Sequence, residues 1–328
     1  MVIFIVKKVN SWYRNEENQM KRKYYYILLL FCIFSFAGCA NDEDNADTDA
    51  LKVTYNIDSG FLEGEGVSYQ IDDNNAVVAG HSDMDIENII IPDKINYENK
   101  DYPVIKIISS AFESDTSLVS LTTGANIIEI EESAFYSCDT LETIDMSNNV
   151  KKIAKDAFGG CSMLKEIKGI GALTSISDNA FSNCYSLEYV FISKTIESMG
   201  VEIFSDCDGL KECKLEEGLE FIGQGMFTNC TNLTDIKLPQ SITTINEEAF
   251  WGCSSITDIE LPEKLVVIGD RAFYDTGIKT LKLPEGITSV KFDMLDGMGD
   301  LEIITVPSSK EDVYTEQFEE YGIDIKTY

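Results

Sequence analysis

Phenylalanine recurs in steps of 23 residues, at Phe112, Phe135, Phe158, Phe181, Phe204, Phe227, Phe250 and Phe273. Cysteine follows it with the same step at Cys138, Cys161, Cys184, Cys207, Cys230 and Cys253. A fixed period in the twenties marks a solenoid, whose units bury their apolar faces only against neighbours. This constrains the fold more than length does. A chain of 328 residues would ordinarily suggest two domains, but a repeat array grows along one axis around one continuous core.

Averaged over the copies, the unit reads Ile-x-x-x-Ala-Phe-x-x-Cys-x-x-Leu-x-x-Ile-x-Leu-Pro-x-x-Ile-x-x. Its Leu-x-x-Ile-x-Leu part, as in Leu233, Ile236 and Leu238, carries strand alternation. Stacked copies place these strands about 4.8 Å apart in a parallel sheet. Pro239, Pro262, Pro284 and Pro307 end that strand, because proline has no N–H to donate. Ile242 and Ile245 stand for a second wall, and the phenylalanines for an internal aromatic column. The fold class is therefore a repeat solenoid, mostly β and irregular, with a parallel sheet on one face and a cap at each end.

The array runs over 104–307 in about nine units. The first has Asp115 in the cysteine slot, the eighth shortens to Tyr274-Asp275-Thr276-Gly277-Ile278, and the ninth has Leu295 in the phenylalanine slot. Residues 51–103 lack the register but show alternating stretches at Val67–Ile71, Ala76–Val78 and Ile89–Ile91, then a hairpin-like insertion at Tyr97–Tyr102. They are expected to cap the first coil. Residues 308–328, with helical character over Lys310–Tyr321 and a strand at Ile323–Ile325, are expected to close the other end.

The cysteines admit zinc binding, disulfides or buried thiols. The chain has no Cys-x-x-Cys pair and one histidine, His81, so zinc lacks ligands. Stacked disulfides are geometrically reasonable, but the non-lipidated cysteines of the array, Cys213 among them, are odd in number and point in parallel. Free thiols acting as small apolar side chains are expected. No metal or cofactor site is expected either. His81 lies in Gly80-His81-Ser82-Asp83, which reads as a surface turn, and it alone could serve a nucleophile. Gly64-Glu65-Gly66 lacks the rest of a nucleotide fingerprint. The chain is expected not to be an enzyme.

At the front, residues 1–19 read as an upstream extension with the true start at Met20. Residues 20–38 are an export signal: basic Met20-Lys21-Arg22-Lys23, apolar Tyr24–Phe36, then small residues. Phe36-Ala37-Gly38-Cys39 resembles the lipobox of bacterial lipoproteins, which implies acylation of Cys39. Residues 39–50 carry an acidic run and read as a flexible tether. That run also resembles the surface-export signal of some outer-membrane lipoproteins. A lipid-anchored protein on the outer membrane surface is expected.

Side chains flanking the strand isoleucine should face solvent. Most such pairs are small or charged. The fourth is Tyr189 and Phe191, flanked by Glu166 and Lys168 on one copy and Glu212 and Lys214 on the other. Aromatics ringed by charge are what a protein-binding hot spot looks like. A self-contained cation–π cluster is the alternative.

The Ala-Phe-x-x-Cys-x-x-Leu-x-x-Ile-x-Leu-Pro unit resembles the BspA-type leucine-rich repeat of bacterial surface proteins. That resemblance implies cell-surface binding or adhesion, with no catalytic residues. The partner expected is a protein, host or extracellular, with glycan capture or a structural envelope role as alternatives. With Lys and Arg numbering 26 against 57 Asp and Glu, nucleic acid is repelled.

Overall fold

The computed structural model describes residues 50–328 except Met84, 291–294 and 319–320. The export signal, Cys39 and the acidic tether to residue 49 lie outside the described residues. The described chain divides into the loop Tyr55–Phe61 and a larger unit of residues 50–54 with Leu62–Tyr328. In the loop, Asn56 Oδ1 accepts the Asp58 N–H at 2.9 Å, an Asx turn.

In the larger unit each 23-residue copy forms one coil with two strand sides and a turn side. On the first side, Asn88–Ile90, Ser120–Thr122, Thr143–Asp145 and Glu166–Lys168 lie parallel and in register. On the second, Glu129–Ile130, Lys152–Ile153, Ser175–Ile176 and Ser198–Met199 do the same. The second ladder runs straight into the N-terminal strands. Lys100–Ile107 pairs with Glu129–Ile130 and, in parallel, with Asn75–His81, beyond which Val67–Asp72 and Leu62–Gly64 are antiparallel. The insertion is a hairpin of Lys94–Tyr97 and Lys100–Ile107. Its turn residues Glu98 and Asn99 have φ of 51° and 59°, the two left-handed residues that a tight hairpin requires. At the far end, helix Glu311–Phe318 precedes strand Asp324–Thr327, which pairs in parallel with Ile303–Val306.

The turn side has a ladder of its own. Ser133, Phe135 and Ser137 donate their N–H groups to the carbonyls of Lys155, Ala157 and Gly159 on the next coil, at 2.9, 2.8 and 2.8 Å. Aiming alternate N–H groups the same way requires left-handed residues two before and two after each phenylalanine. Ser133 and Ser137, Asp156 and Gly160, and Asn179 and Asn183 all have φ between 53° and 76°. Small polar residues and glycine tolerate that conformation best.

Between the sides the phenylalanine rings stack from Phe112 to Phe273. Centroids are 4.9 Å apart at Phe112–Phe135 and 6.1 Å at Phe204–Phe227, with planes within 12° of parallel. The widest step falls where Ile203 and Met226 replace the usual alanine. There too the second ladder is interrupted, between Ser198–Met199 and Phe221–Ile222. The turn side of these two coils stays joined, with the Phe204 N–H on the Met226 carbonyl at 3.0 Å, and Glu212 still pairs with Asp235, so the loosening is confined to the ring stack and the second side.

The column has a lid that the sequence reading missed. His81 does not sit in an exposed turn: it ends strand Asn75–His81 with its side chain 4% exposed. Its ring lies edge-on to Phe112 at 4.9 Å, and its Nε2 pairs with the Asp115 carboxylate. Gly80, at φ 141° with the Ala111 carbonyl where a Cβ would lie, lets the strand end approach the first coil so closely.

Candidate functional site

The first ladder breaks after Glu166–Lys168 and resumes as Tyr189–Ile192, Glu212–Leu215 and Asp235–Ile236. Gly169 causes the break. It occupies the slot of the strand's last leucine with φ 78°, and the chain turns into a short 3-10 helix at Ile170–Ala172. Ile170 fills the core instead.

On the coil beyond the break, Tyr189 is 43% exposed and lies beside Glu212. Phe191, beside Lys214, is half-buried and packs against the core. Its ring lies over Gly171, where an added methyl would meet it at 3.5 Å. Lys214 Nζ stands 5.9 Å above the ring centroid, within cation–π range. Burial and the Glu212 charge push the Tyr189 phenol up, so it stays a neutral donor and acceptor. Glu166 and Lys168, across the break, pair with each other at 3.2 Å. Four of the six residues singled out by sequence thus form one lateral cluster, and the other two are self-paired on the preceding coil.

Two further apolar side chains are exposed nearby in sequence. Met163 and Tyr185 sit at the corner between cysteine and strand on the same two coils, 42% and 49% exposed. Reading only the strand pairs passes over that corner, although its other occupants, such as Asp139, Asp208 and Thr231, are polar. Ion pairs Lys165–Glu142 and Lys211–Glu188, both at 2.9 Å, border the cluster.

Among the other aromatics, Tyr136 and Tyr328 are 41% and 46% exposed. Trp251 stacks on Tyr274 at 4.4 Å, Arg271 lies 5.7 Å from the indole centroid, and the Gly297 backbone lies against the Tyr274 ring. Cysteines 138 to 253, Cys213 included, are buried free thiols. Among the described residues no three His, Cys, Asp or Glu converge to hold a metal. His81 has both ring nitrogens engaged, Nδ1 with the Asp83 carbonyl at 2.9 Å and Nε2 with Asp115.

This architecture is a leucine-rich repeat solenoid. A model of the BspA type leucine rich repeat region matches in six copies over residues 81–211 and 197–323, and the chain belongs to that family. Among solved structures it is similar to a leucine-rich repeat protein from Bacteroides ovatus, with 27% identity over 81% of this chain and 67% of that one and a TM-score of 0.67. A leucine rich cell surface protein from Faecalibacterium prausnitzii is similar in fold, with 23% identity, coverage of 81% and 94%, and a TM-score of 0.52. So is the leucine-rich repeat protein of T. pallidum, with 24% identity, coverage of 60% and 90%, and a TM-score of 0.55. No curated protein matches.

Proposed function

We propose that this chain is a lipid-anchored protein of the bacterial cell surface that binds a protein partner through its first strand side, centred on Tyr189 and Phe191. The observation that carries this reading is the pair Tyr189 and Phe191 on the coil beyond the ladder break, set beside Glu212 and Lys214 of the next coil. Aromatics at the centre with charge at the rim are the arrangement of an interface hot spot. A protein partner is favoured over a glycan because sugars stack on exposed ring faces. The indole, the largest ring available, has its neighbours against it.

The test is binding of the full chain, in detergent, to a protein array that includes this chain itself, and to a glycan array. A protein ligand is expected, and the Tyr189→Ala/Phe191→Ala variant is expected to lose about 2 kcal/mol of its affinity. Glycan binding alone, or a folded variant that binds as the parent does, overturns the reading.

A further inference from the structure

The strand side carries two outward rows along the stack, one residue before and one after the buried strand position. From the Phe158 coil to the Phe227 coil, the first row reads Glu166, Tyr189, Glu212, Asp235 and the second Lys168, Phe191, Lys214, Lys237. Tyr189, Glu212 and Asp235 are lateral neighbours, as are Phe191 and Lys214. All are exposed except the half-buried Phe191. A carboxylate row therefore runs beside an ammonium row, and both are interrupted by an aromatic at the same coil.

That pattern is its own complement under one symmetry operation. A two-fold axis parallel to the stacking direction, lying against this face, sets each coil opposite the same coil of a second copy and exchanges the rows. Glu166, Glu212 and Asp235 then face Lys168, Lys214 and Lys237 of the other copy, while Tyr189 faces Phe191. An axis across the stack would instead set carboxylate against carboxylate. From this we infer that the partner of the strand face is a second copy of this chain, in an isologous parallel dimer. The inference rests on the protein-binding reading of this face.

The flanking coils bound the contact. Asp258 and Glu260 are both acidic on the Phe250 coil, and Thr143 and Asp145 on the Phe135 coil offer no cation. Four short strands cover less than the roughly 800 Å² per partner of a standard stable interface. The formal charge of −31 per copy opposes approach at long range, but at physiological salt it is screened beyond about 8 Å, whereas contact pairs keep their attraction. The dimer is therefore weak in free solution. Tethering copies to one membrane surface would raise their effective concentration.

The experiment is sedimentation velocity on the full chain in density-matched detergent at physiological salt, up to several hundred micromolar, with circular dichroism as the folding control. A reversible monomer–dimer equilibrium is expected. Lys214→Glu/Lys237→Glu should weaken it at least tenfold. Adding Glu212→Lys and Asp235→Lys should restore self-association, and this swapped chain should pair with itself but not with the parent. A monomer throughout the range overturns the inference, as does a dimer indifferent to the charge reversals. Loss of a captured heterologous protein by the aromatic variant, with the parent monomeric, leaves the protein-binding reading standing and removes only this one.

Discussion

The Cys161 thiol donates to the carbonyl of Phe135 on the preceding coil at 3.2 Å, and that carbonyl also accepts the N–H of Cys138 at the same distance. The relationship recurs from Cys138–Phe112 to Cys253–Phe227, at 2.9 to 3.4 Å. Cysteine thus fills a small apolar slot and supplies a weak donor between coils, which alanine cannot do. Where the column ends, Thr276 takes the slot and turns its hydroxyl to Phe273 of its own coil at 2.8 Å.

Replacing one of these cysteines should therefore open a small cavity and leave a carbonyl with one donor fewer. Cys184→Ala is expected to cost about 1–2 kcal/mol in urea unfolding. Burial pushes the Cys161, Cys184 and Cys230 thiols well up. The seven thiols of the array should thus resist alkylation in the native protein at mildly alkaline pH and all react in denaturant without reductant. Paired sulfurs in denaturant, or ready native labelling, would contradict this account.

The contact of His81 with Asp115 closes the same columns. With both side chains at most 4% exposed, removing one partner strands the other in the core. His81→Ala should cost about 1–3 kcal/mol through the unsatisfied Asp115 carboxyl. Asp115→Cys, although it restores the repeat's own residue, should also destabilise. The double change His81→Leu/Asp115→Cys should recover much of the loss, so that a thermodynamic cycle gives a large coupling. Additive single effects would mean that the pair is not a unit.

The register, the aromatic column, the C-terminal helix and the strand face were legible because each follows from side-chain periodicity alone. His81 was not, because its burial depends on Gly80 letting the strand end fold beneath the first coil, a long-range event. The ladder breaks were half-legible. Gly169 and the Ile203/Met226 substitutions stand out against the repeat, but whether coils yield or compress around them depends on packing. The left-handed slots two after each phenylalanine were readable as a column of Ser, Asn, Asp and Gly at a 23-residue step, whereas those two before it also hold Glu202, Glu248 and Arg271 and carry no such signal.

Glu131 ties the first two coils together. Its carboxylate pairs with Lys106 at 2.8 Å and accepts the Ser109 N–H at 3.0 Å. Partial burial pushes its pKa up, but Lys106 and Ser109 outweigh that and hold it below the usual range. A folded pKa below the unfolded one stabilises at pH above the unfolded value and is lost as pH falls through the folded one. The destabilisation caused by Glu131→Gln should accordingly be present at neutral pH and shrink below about pH 4. A deficit that does not depend on pH would sink the linkage.

Cys39 is expected to carry lipid after removal of everything before it. Intact mass of membrane-extracted protein should show a modified N-terminal cysteine, and Cys39→Ser should block processing or release the chain. An unlipidated mature terminus elsewhere rules the anchor out.

Gly169 links the backbone to the candidate site, and its neighbour Gly171 supplies the control. At φ 78°, a methyl on Gly169 would come within 1.8 Å of the Met146 carbonyl oxygen. No side chain fits without moving the preceding coil, and the left-handed backbone adds roughly 1 kcal/mol or more of strain for any other residue. Gly169→Ala should thus destabilise by about 3 kcal/mol or more, well above the usual cost of a point substitution. It should also disturb the strand side on both flanks of the break. Gly171 has no such strain, and its methyl would meet only the edge of the Phe191 ring at 3.5 Å, an ordinary contact. Gly171→Ala should leave stability within about 0.5 kcal/mol of the parent. Because Phe191 rests on that glycine, any effect of Gly171→Ala should appear in binding rather than in folding. Equal stability of the two variants in urea titration would show that Gly169 is not what breaks the ladder.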